Sequence, residues 1–252
     1  MAGDHLPRDA HAPRLRVLMY HQVGPFARPE QQLGLYCHID RFARQMAYLA
    51  RHDIRVISLS EACRGLFGQA RLPARAVVLS FDDGFQNFHD HAWPVLEAHG
   101  YPAVVYAVAA RLGGHADWMK PEAPGDQRLM DGATLRTLAD AGIEIGSHTL
   151  NHCRLGLEPE AVRHREIRDS RARLEDVLGR AVEHFAYPYG HYDAGVRELV
   201  AQAGYTSAVT CVRERADRAH DPFQIPRQGI SYKDGRLRFA WKMQAAYRRP
   251  QD

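Results

Sequence analysis

The sequence predicts an α/β protein, with parallel strands wrapped by helices and closed as a barrel in a single domain. Three observations carry that expectation. Strand-like and helix-like segments alternate from Arg16 onward, about seven such units occur, and no repeat, low-complexity tract or linker separates them. Alternation of this kind makes neighbouring strands parallel, and seven or so units favour a barrel-like closure over an open two-layer sheet.

Residues 1–14 are polar and contain Pro7 and Pro13, and read as a flexible N-terminal arm, leaving 15–252 as the folded domain. A short apolar run at 17–20 ends at His21. Asp40 is the expected cap of a helix that puts Phe42, Met46 and Leu49 on one face. Residues 54–59 read as a strand, and Ser60 as the cap of a short helix stopping at Gly65 or Gly68. The run AVVLSF at 76–81 is continuously apolar up to Ser80, as a buried parallel strand requires. A helix over 88–99 ends at Gly100, a strand covers 103–108, and a helix over 135–141 stops at Gly142 before a strand beginning at 143. A charged helix spans 158–178 and stops at Gly179. A strand at 185–187, a helix at 194–203 and a strand at 207–210 follow. Two long loops, 22–38 and 110–130, both follow strands and should overhang one end of the barrel.

The chain has 252 residues, 45% hydrophobic and 25% charged, enough for a sizeable core. A net charge of +3, with no RNA- or DNA-binding signature, gives no reason to expect a nucleic acid partner. Cys37, Cys63, Cys153 and Cys211 form no CxxC pair and read as reduced, mostly buried thiols. Cys153 follows a candidate metal ligand directly, yet packing is the preferred reading. No apolar leader region precedes the first strand and no stretch is long enough to span a membrane, so the chain as given reads as cytoplasmic.

Three motifs carry chemistry. Ser80-Phe81-Asp82-Asp83-Gly84 places two carboxylates at the end of a buried strand, where a barrel has its active mouth. Neighbouring carboxylates repel unless a cation takes one, which leaves the other free as a base. The plain alternative is an Asp helix cap. Ser147-His148-Thr149-Leu150-Asn151-His152 puts two imidazoles four residues apart after the next strand. On a helical turn they would share a face and reach one ion. Phe185-Ala186-Tyr187-Pro188-Tyr189-Gly190 is a strand ending in an aromatic–Pro–aromatic–Gly turn, a weak signal alone.

In this order and spacing the motifs closely resemble the polysaccharide deacetylase family, the NodB homology domain of carbohydrate esterase family 4. The resemblance runs from about Leu15 to Ile230. It implies a distorted (β/α)7 barrel and a divalent metal, usually zinc, with nickel, cobalt or iron compatible with the ligand set. Carried over, Asp83, His148 and His152 hold the metal, Asp82 is the base, and the Tyr189 backbone N–H helps form an oxyanion hole. The opening Tyr20-His21-Gln22-Val23-Gly24, the turn around Pro188 and the Ile225-Pro226-Arg227 segment look most like exopolysaccharide and poly-N-acetylglucosamine deacetylases. The implied reaction is hydrolysis of an N-acetyl group on a poly- or oligosaccharide or a lipid-linked sugar. Deformylation or another C–N hydrolysis, and a non-catalytic sugar-binding relative, are the alternatives.

Two departures stand out. Many relatives carry an Arg two residues before the Pro of the third motif, where this chain has Ala186, and Arg227 is the expected substitute for orienting Asp82. The Leu-x-His that supplies a general acid in many relatives is absent after residue 220, which leaves His21, His191 or protonated Asp82 for that role. Trp118, on the second long loop, is read either as a sugar-stacking platform or, preferably, as packing. The tail from Asp234 places Phe239, Met243 and Ala246 on one helix face among Arg236, Arg238, Lys242, Arg248 and Arg249. A packed closing helix is the preferred reading; weak contact of this basic helix with the inner membrane is the other.

Overall fold

The computed structural model describes residues 14–121 and 127–244. The main sheet is parallel throughout, in the order β10–β1–β5–β6–β7–β8–β9. Its strands are β1 (Arg14–Tyr20), β5 (Arg75–Phe81), β6 (Val104–Ala107), β7 (Glu144–Ser147), β8 (His184–Ala186), β9 (Ser207–Val209) and β10 (Gln228–Gly229), and β4 (Arg55–Val56) pairs with the start of β5. Helices α1 (Ile39–Arg51), α2 (Leu59–Phe67), α3 (Trp93–His99), α4 (Gly132–Asp140), α5 (Glu160–Leu178), α6 (Ala194–Gln202) and α7 (Arg236–Gln244) cover the outside. None of the described helices is long and apolar enough to cross a membrane.

The period-2 alternation of strands sorts the core into two layers. Leu15 and Val17 of β1, Ala76 and Val78 of β5, Val104 and Tyr106 of β6 and Val209 of β9 fall in one cluster, on the concave side. Leu18 and Tyr20, Val77, Leu79 and Phe81, and Val105 and Ala107 fall in the other, against Phe42, Met46 and Leu49 of α1 and residues of α3 to α7, whereas Leu59, Ala62 and Leu66 of α2 pack with the first cluster. The curled sheet closes through a thin seam. Val209 bridges Ile225, and three residues later β10 begins, pairing Leu18↔Gln228 and Met19↔Gly229. This is the distorted barrel that the motif resemblance implies.

Local sequence explains most boundaries, with some corrections. α1 is capped by His38, whose ring Nδ1 accepts the Asp40 N–H at 3.1 Å, so Asp40 lies in the first turn instead of at the cap. Ser58, not Ser60, caps α2, accepting from the Glu61 N–H at 3.1 Å. The cap turns the chain early, so β4 is shorter than the expected 54–59 strand. Gly68 ends α2, and Gly65 passes through it. Loop 22–38 contains a separate two-stranded sheet, β2 (Gln22–Gly24) with β3 (Tyr36–His38). The expected arm falls almost wholly outside the described residues; Arg14 already begins β1. Ala246, Arg248 and Arg249 of the tail also lie outside them.

Candidate active site and metal centre

The concave face of β5 runs Ala76, Val78, Ser80 and then, just past the strand, Asp82. One residue further the chain leaves the strand through two left-handed residues, Asp83 (φ 73°) and Gly84 (φ 77°). A Cβ at Gly84 would sit 3.3 Å from the Ala107 Cα, so both the turn and the close approach require glycine there. The turn aims the two adjacent carboxylates at different partners.

Asp82 meets Arg227. The guanidinium donates from Nη1 to Oδ1 at 2.6 Å and from Nη2 to Oδ2 at 2.8 Å, a two-pronged pair. Both side chains are buried, at 3% and 0% exposure. Arg227 is itself fixed by donating to the Thr210 carbonyl at 2.9 Å and to Ser80 Oγ at 3.2 Å. Burial is the largest influence and would raise the Asp82 carboxyl, but the charge and hydrogen bonds of Arg227, together with His148 and His21, outweigh it and hold Asp82 below the ordinary carboxylate value. Arg227, although desolvated, is pushed up by the same pairing.

Asp83 meets two histidines. Its Oδ1 lies 3.4 Å from His148 Nε2 and 3.2 Å from His152 Nε2. All three side chains are buried, with one ligand atom of each within 4.8 Å of the others. His148 Nδ1 sits 2.9 Å from the Ala186 carbonyl, which can only accept, so the proton is on Nδ1 and Nε2 presents its lone pair. Burial drives the His148 ring down to about 4, so it is neutral at physiological pH. Asp83 is pulled far below its ordinary value: burial opposes this, but His152 and its neighbours outweigh it. Asp83 Oδ1 is buried with no hydrogen-bond partner. A neutral imidazole lone pair, a second imidazole and an unsatisfied carboxylate oxygen are the donor set of a divalent cation, and the residues fit one.

The turn carrying the histidines is not the helical turn expected from their spacing. Thr149 (φ 68°) and His152 (φ 60°) are both left-handed, and the His152 N–H closes onto Thr149 Oγ1 at 2.9 Å. Together with Asp83 and Tyr189 (φ 59°), four of the six described non-glycine residues with positive φ lie in this site. Such backbone costs about 1–3 kcal/mol per residue and concentrates at functional centres.

His21 follows β1 at the same end of the barrel, its Nε2 3.9 Å from Asp82 Oδ2 and its Nδ1 buried without a hydrogen-bond partner. His191 is exposed and lies 3.2 Å from an Arg154 nitrogen, away from Asp82's contacts. Trp118 packs flat on His152, ring centres 4.3 Å apart. Cys153 is no part of the ligand cluster; burial, with Glu166 and Glu158 nearby, pushes its thiol up to about 12.

Several supporting residues had no sequence signal. Glu166 of α5 reaches back to the histidine turn, accepting from the Asn151 N–H at 2.9 Å and from Asn151 Nδ2 at 2.7 Å. The Tyr189 hydroxyl lies 3.1 Å from His152 Nδ1, with Arg154 stacked on its ring at 3.8 Å. The Ala186 carbonyl is a backbone group, invisible to any motif.

Comparison with known proteins points to one family. A family model described as polysaccharide deacetylase matches residues 69–208, more than half of the chain. YxkH of Bacillus subtilis strain 168, provisionally named a polysaccharide deacetylase, is 24% identical over 219 residues, covering 86% of this chain and 72% of that protein. The poly-β-1,6-N-acetyl-D-glucosamine N-deacetylase of Staphylococcus epidermidis is 23% identical over 199 residues, covering 75% of this chain and 66% of its own. The solved Streptococcus pyogenes deacetylase PplD, in complex with acetate, superposes with a TM-score of 0.80 at 22% identity, covering 93% of this chain and all of that one. The fold, the motif order and the family match agree: the chain belongs to the polysaccharide deacetylase family, hydrolases that take N-acetyl groups from carbohydrate.

Proposed function

We propose that this deacetylase acts on N-acetylglucosamine units of an oligo- or polysaccharide, with Asp83, His148 and His152 holding a divalent cation. The unsatisfied buried oxygen of Asp83, facing two imidazole nitrogens, is the observation that carries the reading. A cation held there by Asp83, His148 and His152, zinc by ligand type, would supply Lewis acidity toward the acetamide carbonyl and toward water. Asp82 takes the proton of the attacking water. Its two oxygens each keep a lone pair after bonding Arg227, and the guanidinium fixes their direction and keeps the carboxylate ionised. The Tyr189 backbone N–H is assigned to the developing oxyanion. His21, 3.9 Å from Asp82, is placed to pass a proton to the departing amine. The products are acetate and an amino sugar.

A cavity of about 420 Å³ lined by Phe26, Arg28, Gln31, Tyr36, Lys120 and Pro121 lies between the two mouth loops and is assigned to the glycan. The relatives named for poly-β-1,6-N-acetyl-D-glucosamine make such oligomers the first substrate to offer. The test is acetate release from N-acetylglucosamine oligomers by metal-loaded protein and by Asp82→Asn. We expect release that falls about 10³-fold or more in the variant. Formate from an N-formyl sugar with no acetate from any oligomer would move the assignment to deformylation.

A further inference from the structure

A second built site lies outside the barrel, between α1 and α7. A pocket of about 290 Å³ is lined by Arg41, Arg44 and Arg51 of α1 and by Arg236 and Phe239 of α7, with Tyr48 among them. Arg41, Arg44, Tyr48 and Arg51 recur at helical spacing, so one face of α1 presents all four toward the pocket. Among the described residues none of these four arginines forms an ion pair. Asp234, the nearby acid on the α7 side, is buried and already occupied by Lys242 at 2.7 Å and Arg238 at 3.0 Å. Asp40 is the one acid of α1, in its first turn. Four like charges around one cavity repel each other unless an anion enters.

Tyr48 supplies an independent observation. Its side chain is 6% exposed, and its hydroxyl is buried with no hydrogen-bond partner. Its ring is held edge-on by Phe239, at 5.7 Å, and against His52, at 4.0 Å. A buried hydroxyl lacking a partner is a cost to the folded protein, and a ligand oxygen would satisfy it. Arg41 lies over the Tyr232 ring, its guanidinium carbon 4.4 Å from the ring centre, a contact that holds the guanidinium without using its N–H donors. Beside the pocket α7 exposes two large apolar side chains one turn apart, Leu237 at 84% and Trp241 at 57%. Guanidinium groups next to an exposed Leu–Trp stripe match a surface that offers phosphate above hydrocarbon.

We propose that the α1–α7 pocket binds the phosphate of an anionic lipid headgroup, with Leu237 and Trp241 entering the interface beside it. The site does not use the metal ligands, and its test does not depend on turnover. Co-sedimentation of the full chain with phosphatidylglycerol vesicles is compared with phosphatidylcholine vesicles, and pyrophosphate binding is measured by calorimetry. Wild type should bind the anionic vesicles at least 10-fold more tightly than the neutral ones. Arg44→Glu/Arg51→Glu should lose that binding, whereas Arg165→Glu/Arg173→Glu on α5, with the same change in net charge, should keep it. Tyr48→Phe should weaken binding about 3-fold or more while the unfolding midpoint of the free protein is equal to or above that of wild type, which a merely structural tyrosine would not do. Leu237→Ser/Trp241→Ser should weaken vesicle binding and leave pyrophosphate binding intact. The proposal is overturned if vesicles fail to bind while pyrophosphate does, which makes the ligand a soluble phosphate ester. It also fails if both charge-reversal pairs lose binding equally, which makes the attraction diffuse.

Discussion

Asp82 and Asp83 are neighbours in sequence with opposite duties, and their surroundings separate them. Asp82 is gripped by a buried guanidinium that leaves it charged, and Asp83 faces imidazole nitrogens with one oxygen unsatisfied. Removing Arg227 strands a buried carboxylate. Arg227→Met is therefore expected to cost about 3–5 kcal/mol of unfolding free energy in urea titrations. It should also raise the Asp82 carboxyl, shifting the acid limb of kcat/KM to higher pH. The double variant Asp82→Asn/Arg227→Met should recover much of the stability and none of the activity. Recovery of neither would mean that the guanidinium matters through Thr210 and Ser80 instead. At this scale the sequence was informative where chemistry is written in side chains: Asp82, Asp83, His148, His152 and Arg227 converge. It was silent on the Ala186 carbonyl and the Tyr189 hydroxyl, because a backbone atom has no residue code and a tyrosine's reach depends on the turn beneath it.

The histidine turn shows why elements matter as much as residues. Spacing of four suggested a helix, yet the two imidazoles meet across a loop with left-handed Thr149 and His152. α5 keeps that loop in place through Glu166. Glu166→Ala should loosen the turn and weaken zinc affinity by about 10- to 100-fold, as loss of a supporting shell does elsewhere. Competition against a chromophoric chelator would read this directly; unchanged affinity would mean the loop holds itself. Long elements with continuous apolar runs or glycine stops, such as β5, α3 and α5, were legible. β2, β3 and β10 were not, because two or three residues are too few to display a period, and their pairing is dictated by distant partners.

For the molecule as a whole, the buried neutral His148 links folding to acidity. Its folded value of about 4 lies below the ordinary 6.5, so the unfolded chain binds more protons between those limits. Stability of the metal-free protein should then fall as pH drops from 6.5 to 4, by up to about 3 kcal/mol from this ring alone. Below that window Asp82, whose folded value is also depressed, adds a further loss. Urea titrations in chelator at pH 7, 6 and 5 test this, with His148→Gln as control. An equal slope in the control would assign the effect to other groups. The barrel class and its closure were readable from the alternation and the number of units, whereas the seam that makes the closure was not, since it consists of one bridge and two residue pairs.

That seam has a consequence for biosynthesis. Arg227 arrives 145 residues after Asp82, and at about 5–20 residues per second the ribosome needs roughly 7–30 s to cover the distance. Until then a nascent chain can assemble β1 and β5 but lacks the guanidinium that pairs with Asp82. Premature burial of Asp82 is penalised, and its counter-charge arrives on the residue that leads into β10, the last of the described strands. Closure of the sheet and neutralisation of Asp82 therefore arrive together, so a product truncated before Arg227 is left with an open edge and an unpaired carboxylate.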